Sequence, residues 1–224
     1  DEPFDVTPYA AAYARYFVRH PFTQSLPRKF KTSFSDSDED YAISAIHDMG
    51  FIPKMKDGKK GFKMVTGGGT SIMPKIGQAL FEFVPVEEYI KITEAVIRIF
   101  HKTGELRKNR MKARIKFYID RIGMDEFRNQ VEEELKGAWA QKSFDPTPLL
   151  FIEDEAKDAP SLTGTYKTGA GKEFDRWVDS NVRAQKQEGY RVVTVKLPLG
   201  DVDAKQFHQI AEMSRKYAGG RMRL

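Results

Sequence analysis

Cysteine is absent from the 224-residue chain. That excludes disulfides, thiolate zinc sites, a cysteine nucleophile and any iron–sulfur centre held by the chain's own thiolates. Histidine is scarce: His20, His47, His101 and His208 stand far apart, never at HxH or HxxxH spacing, so no metal site is expected. No apolar run approaches the roughly eighteen residues that cross a bilayer, so no membrane partner is expected and a reducing, cytoplasmic setting fits. The opening Asp1-Glu2-Pro3-Phe4-Asp5 has no Met, basic stretch or apolar core of a leader. It reads as a cut inside a longer protein, and Arg221-Met222-Arg223-Leu224 as the opening of a strand that then stops.

The residues that are present suffice for a core: 40% are hydrophobic, enough for one large or two small domains. The net charge of +5 is modest, so only its distribution is informative. A helix is expected over 9–18, ended by His20-Pro21. Over 28–34, Lys29, Lys31 and Ser33 alternate with Phe30, Thr32 and Phe34, the period-two pattern of a strand with one basic and one apolar face. The acidic run Ser35-Asp36-Ser37-Asp38-Glu39 reads as the start of a short helix over 38–47. Strands over 51–56 and 61–66 flank a hairpin turn at Lys56-Asp57-Gly58-Lys59. Helices are expected over 75–83, 86–103, 107–121 and 125–136.

Between 144 and 188 the texture changes to proline, glycine and an acidic patch, which predicts an extended connecting segment anchored by Trp177 and Val178. A β-branched strand over 190–197, an amphipathic helix over 203–217 and a strand from Arg221 then make a β-α-β fragment. The fold class is therefore α+β: a mixed sheet with flanking helices over 1–140, a linker over 141–187 and a smaller unit over 188–224.

Three features bear on chemistry. Arg28, Lys29 and Lys31 form a dense positive spot, either an oxyanion site or an edge strand guarded by solvated lysines; on pattern alone the edge strand is favoured. Gly67-Gly68-Gly69-Thr70 lets backbone approach a ligand and aim N–H groups at an anion, but it matches neither the Walker nor the dinucleotide pattern, and a plain turn explains it equally well. Eight basic residues against two acidic ones lie between Lys102 and Arg121, with Lys108, Lys112 and Lys116, and Arg110 and Arg114, at i+4 spacing. That run is compatible with a solvated face, nucleic-acid phosphates, a polyanionic cofactor or an acidic protein. No Ser–His–Asp set or carboxylate pair can be placed, and His47-Asp48 reads as a capped helix end at a turn.

Taken in order, Leu26-Pro27-Arg28-Lys29-Phe30-Lys31, His47-Asp48-Met49-Gly50-Phe51, Lys56-Asp57-Gly58, Gly61-Phe62-Lys63-Met64-Val65-Thr66-Gly67-Gly68-Gly69, Arg107 through Arg114 and Gly123 through Arg128 resemble the sirohaem-dependent nitrite/sulfite reductase family. Gln185 through Tyr190 and Lys196 through Asp201 resemble the start of that family's second ferredoxin-like segment. The resemblance implies two pseudo-symmetric halves around one sirohaem, with a cysteine-bound [4Fe–4S] cluster on one of them. Here Asp36-Ser37-Asp38-Glu39-Asp40 stand where a cluster-bearing half would show cysteines, so the chain resembles the cluster-free half plus the entrance to the second. By the same resemblance Lys29 and Lys31 face the substrate and are catalytic. Arg28 binds the sirohaem carboxylates, Gly67, Gly68 and Gly69 pack near the tetrapyrrole, and Arg110 is a further cofactor contact. The cluster ligands would lie outside this chain. The resemblance also implies a monomeric parent that reduces sulfite or nitrite with electrons from ferredoxin or a flavoprotein. Lysine rather than asparagine at 31 leans toward sulfite. The rival readings are a basic nucleic-acid-binding module and a non-catalytic supporting fragment.

Overall fold

The computed structural model describes residues 2–141, 149–150, 171–185, 189–220 and 222. The chain divides into two compact units, over 2–152 and 153–224.

The larger unit is built on a four-stranded sheet in the order β1-β2-β3-β4. The strands are β1 (Thr32–Phe34), β2 (Met49–Lys56), β3 (Lys59–Thr66) and β4 (Gln78–Pro85). β1 runs parallel to β2 and the other pairings are antiparallel, so the sheet is mixed as expected. Asp57 and Gly58, both at positive φ, close the β2–β3 hairpin, the backbone that a tight primed turn requires. The helices are α1 (Thr7–Phe17), α2 (Tyr89–Lys102), α3 (Ile115–Ile122) and α4 (Met124–Glu134). Fully buried Phe51, Phe62 and Tyr89 anchor the core between sheet and helices. Phe34 stacks on Phe51 with ring centroids 4.4 Å apart, and Phe4 and Tyr9 meet Phe62 edge-on, arrangements that the aromatic quadrupole favours.

Four expectations for the larger unit are corrected. Most of the stretch predicted as a helix over 75–83, from Gln78 on, belongs to β4: Phe81, Phe83 and Val84 are good strand formers, and β3 offers an open ladder edge that they complete. Gly61 on β3 makes room for them, since a Cβ there would lie 2.5 Å from the Phe83 ring. The expected helix over 38–47 is reduced to a 3-10 turn at Ser44–Ile46. Asp40 is at positive φ and its carboxylate accepts the Ser44 N–H at 2.9 Å, a local side-chain bond that competes with helix. The predicted basic helix over 107–121 breaks into 3-10 turns at Gly104–Arg107 and Arg110–Lys112, followed by α3. Asn109 is extended and caps the Met111 N–H at 2.9 Å, and Arg114 is extended as well. The strand expected over 28–34 pairs only from Thr32 onward, because the Lys31 N–H donates to the Asp48 carboxylate instead of to a ladder.

In the smaller unit, part of the predicted connecting segment is helical: α5 (Lys172–Asn181) precedes β5 (Val182–Ala184), which pairs antiparallel with β6 (Arg191–Val193). Val178 is half-buried, whereas Trp177 is exposed and stacks near Phe174. The expected strand over 190–197 shortens to β6. The amphipathic helix forms as α6 (Ala204–Tyr217), opened by an Asp203–Gln206 capping box. The strand expected from Arg221 lies outside the described residues, as does most of 144–170.

Candidate functional site

The basic segment keeps its alternation although most of it is not strand. Phe30 packs near Phe100 and Thr32 Oγ1 lies 2.8 Å from the Tyr13 hydroxyl. On the opposite side Lys29 and Lys31 are exposed, with Arg28 half-buried beside them. Among the described residues none of these three side chains has a hydrogen bond or an ion pair to a protein group. Three cations within four positions, unneutralised, form an anion-seeking surface.

What holds this segment is Asp48. Its side chain is fully buried, and Oδ2 accepts the Lys31 N–H at 2.7 Å. Arg114 grips the same carboxylate bidentately, Nε to Oδ1 at 3.0 Å and Nη2 to Oδ2 at 2.8 Å, the planar fork that suits a carboxylate. Burial pushes the Asp48 carboxyl up from its ordinary value, while the bonds from Arg114 and the Lys31 N–H pull it back. The main chain of Asp48 serves a third segment, because its carbonyl accepts from the Gly67 N–H at 3.3 Å and from Thr66 Oγ1 at 2.6 Å.

The triple glycine is packed from both sides. The N–H groups of Gly67, Gly68 and Gly69 donate to the carbonyls of Asp48, His47 and Lys75. Gly67 is at positive φ. A Cβ on Gly68 would fall 2.1 Å from the Ala45 carbonyl oxygen, and one on Gly69 would fall 2.8 Å from the Arg114 guanidinium. Glycine is required here for close approach within the protein, and its N–H groups are spoken for.

Lys116, from the basic run, is 2% exposed. Its ammonium reaches the carbonyls of Gly69, Thr70, Ile72 and Met73 at 2.9 to 3.3 Å. Desolvation and the neighbouring Arg114 push its pKa down. Arg114 and Lys116 are therefore internal cations, one on a carboxylate and one in a ring of carbonyls. Arg110 is exposed in its 3-10 turn and joins none of these bonds.

Three separate sequence features thus meet on Asp48: the basic segment, the triple glycine and the basic run. From sequence, His47-Asp48 looks only like a helix-end pair. The signal that could have found it is an acidic residue directly before the apolar strand Met49-Gly50-Phe51-Ile52, where a carboxylate stands at the edge of the core. A buried carboxylate needs a cationic partner, and Arg114 was available.

The family model described as the nitrite and sulphite reductase 4Fe-4S domain matches residues 1–138, and that of the nitrite/sulfite reductase ferredoxin-like half domain matches 183–224. The chloroplastic ferredoxin–nitrite reductase of Oryza sativa subsp. japonica is 29% identical over the whole chain, which covers 35% of that protein. Sulfite reductase [ferredoxin] 1 of Mycolicibacterium paratuberculosis is 33% identical over 60% of this chain and 24% of its own length. The solved structure of the NirA protein of Mycobacterium tuberculosis superposes with a TM-score of 0.52 at 33% identity, covering 58% of this chain and 24% of that one. The chain spans about a third of the length of the curated relatives it matches. With a family model covering more than half of it, the chain belongs to the nitrite and sulphite reductase family.

Proposed function

We propose that this chain supplies the basic, oxyanion-facing part of a sirohaem-dependent reductase that carries nitrite or sulfite through a six-electron reduction. The observation that carries this reading is the cluster of exposed Lys29 and Lys31 with half-buried Arg28, free of protein partners among the described residues and fixed at the Lys31 backbone by the buried Asp48–Arg114 pair. Nitrite and sulfite are small oxyanions, and ammonium groups both bind such anions and deliver the protons that their reduction consumes. In this reading Lys29 and Lys31 contact the substrate and donate protons, and Arg28 binds carboxylates of the macrocycle. Gly67, Gly68 and Gly69, buried and with their N–H groups bonded within the protein, support the cofactor site by seating Asp48 and Arg114 rather than by meeting the ring, and Arg110 is a peripheral carboxylate contact. Bound sirohaem would supply the redox-active iron; the unpaired cations fit its polycarboxylate periphery.

The iron–sulfur cluster does not fit this chain. It has no cysteine, and among the described residues no group of three or more His, Cys, Asp or Glu gathers to hold a metal ion. Ligands for a cluster would come from elsewhere in the whole protein. A ferredoxin donor is proposed from the names of the relatives, with a flavoprotein as the alternative, and a monomeric, cytoplasmic parent completes the reading. Among the described residues no helix is long and apolar enough to cross a membrane. Lysine at 31 tilts the proposal toward sulfite. A nucleic-acid interface has less support, since the basic run is not one helix and two of its cations are buried.

The test is substitution in the whole protein that contains this chain. Lys29→Ala and Lys31→Ala are each expected to lower turnover about 10²-fold or more, with sirohaem occupancy, read from visible absorbance, falling far less. Wild-type rates in both variants would overturn the assignment.

A further inference from the structure

We infer that Asp48 and Arg114 are a positioning pair acting through Lys31, so that the place of its ammonium is set by a buried ion pair which itself touches no substrate. This rests on the role of Lys31 proposed above. The Lys31 side chain is exposed and among the described residues bonds to no protein group, so nothing on the side chain fixes it. Its backbone is fixed at both ends of the residue. The N–H donates to Asp48 Oδ2 at 2.7 Å and the carbonyl accepts from the Met49 N–H at 3.1 Å. Lys31 lies one residue before the β1–β2 ladder begins at Thr32–Met49, and there a carboxylate stands in for the missing strand partner.

Asp48 can occupy that place only with Arg114. A carboxylate this buried is costly without a partner, and even a well-made buried pair is seldom a net source of stability compared with apolar residues of like volume. The pair is thus poorly explained as a stabiliser and well explained as a device for geometry. The guanidinium in turn depends on Gly69, where any Cβ would press into it at 2.8 Å, and it donates onward to the Gly68 carbonyl at 3.4 Å. A chain of contacts runs from the glycine turn through Arg114 and Asp48 to the Lys31 backbone. Displacing a reacting group by about 1 Å can cost about 10²-fold in rate, so loosening this chain slows turnover without removing the lysine.

The experiment is a double-mutant cycle in the whole protein, with amide hydrogen exchange at Lys31 as the second readout. Asp48→Asn keeps the shape but turns an amide donor toward Arg114 or the Lys31 N–H. Expected are kcat lowered about tenfold, with KM and sirohaem occupancy within about twofold, and faster exchange of the Lys31 N–H. Asp48→Asn combined with Lys31→Ala should be no slower than Lys31→Ala alone, the non-additivity of two groups acting as one. Equal loss from Asp48→Asn in both backgrounds would overturn the inference and leave the pair a general structural support. Turnover unchanged by Asp48→Asn, when Lys31→Ala is slow, would overturn it as well. Turnover unchanged by Lys31→Ala would instead bring down the underlying role of Lys31, and the inference with it. Should Asp48→Asn fail to fold, Gly69→Ala, which crowds the guanidinium and spares the carboxylate, is expected to show the same non-additivity; additivity there overturns the inference equally.

Discussion

Lys116 shows how far a residue's role can lie from its charge. Its sequence neighbours make it look like one more solvated lysine, yet its ammonium sits in a ring of four carbonyls from Gly69 and the turn that follows it. Burial pushes its pKa below the ordinary 10.5. Between the lowered value and 10.5 the unfolded chain therefore binds more protons than the folded one, and stability rises with pH across that window. Lys116→Met removes this contribution. The wild type is expected to gain stability over the variant as pH climbs toward 10.5, measured by denaturant midpoints of both proteins at several alkaline pH values. A gap that narrows with pH would contradict it. Gly68 makes the complementary point, since its backbone lies so close to Ala45 that the missing side chain is its contribution.

At the scale of elements, the β2–β3 hairpin and the helices laid over it carry the fold. Phe62 is fully buried and touches the rings of Phe4, Tyr9, Phe34, Phe51 and Tyr89. Phe62→Ala is expected to cost about 3–5 kcal/mol. Met55, at the exposed end of the same hairpin, should tolerate alanine within about 0.5 kcal/mol. Urea unfolding of the two variants checks both, and a similar loss in each would place the core elsewhere. This hairpin was legible because strand alternation and an Asp-Gly turn agree with the tertiary structure. β4 was not: residues 75–83 carry enough helix-compatible spacing to mislead, and only the open edge of β3 decides for strand. The basic run failed for the opposite reason. Its i+4 spacing is real, but Asn109 and Arg114 leave the helical region and the supposed single face dissolves.

For the whole molecule, the absence of cysteine is the controlling fact. Incubating the purified chain with iron and sulfide under reducing conditions is expected to leave it without the visible absorbance of a cluster, since every protein thiolate ligand is missing. Stable incorporation of a cluster would show that other side chains suffice. The composition, the order of the motifs, the hairpin and the helices Tyr89–Lys102, Met124–Glu134 and Ala204–Tyr217 were set by the sequence alone, because periodicity and turn chemistry act over a few residues. The meeting of Lys31, Gly67–Gly69 and Arg114 was decided only by the tertiary structure. A buried carboxylate recruits whichever cation the fold delivers, and Arg114 lies 66 residues away along the chain, beyond the reach of any local pattern.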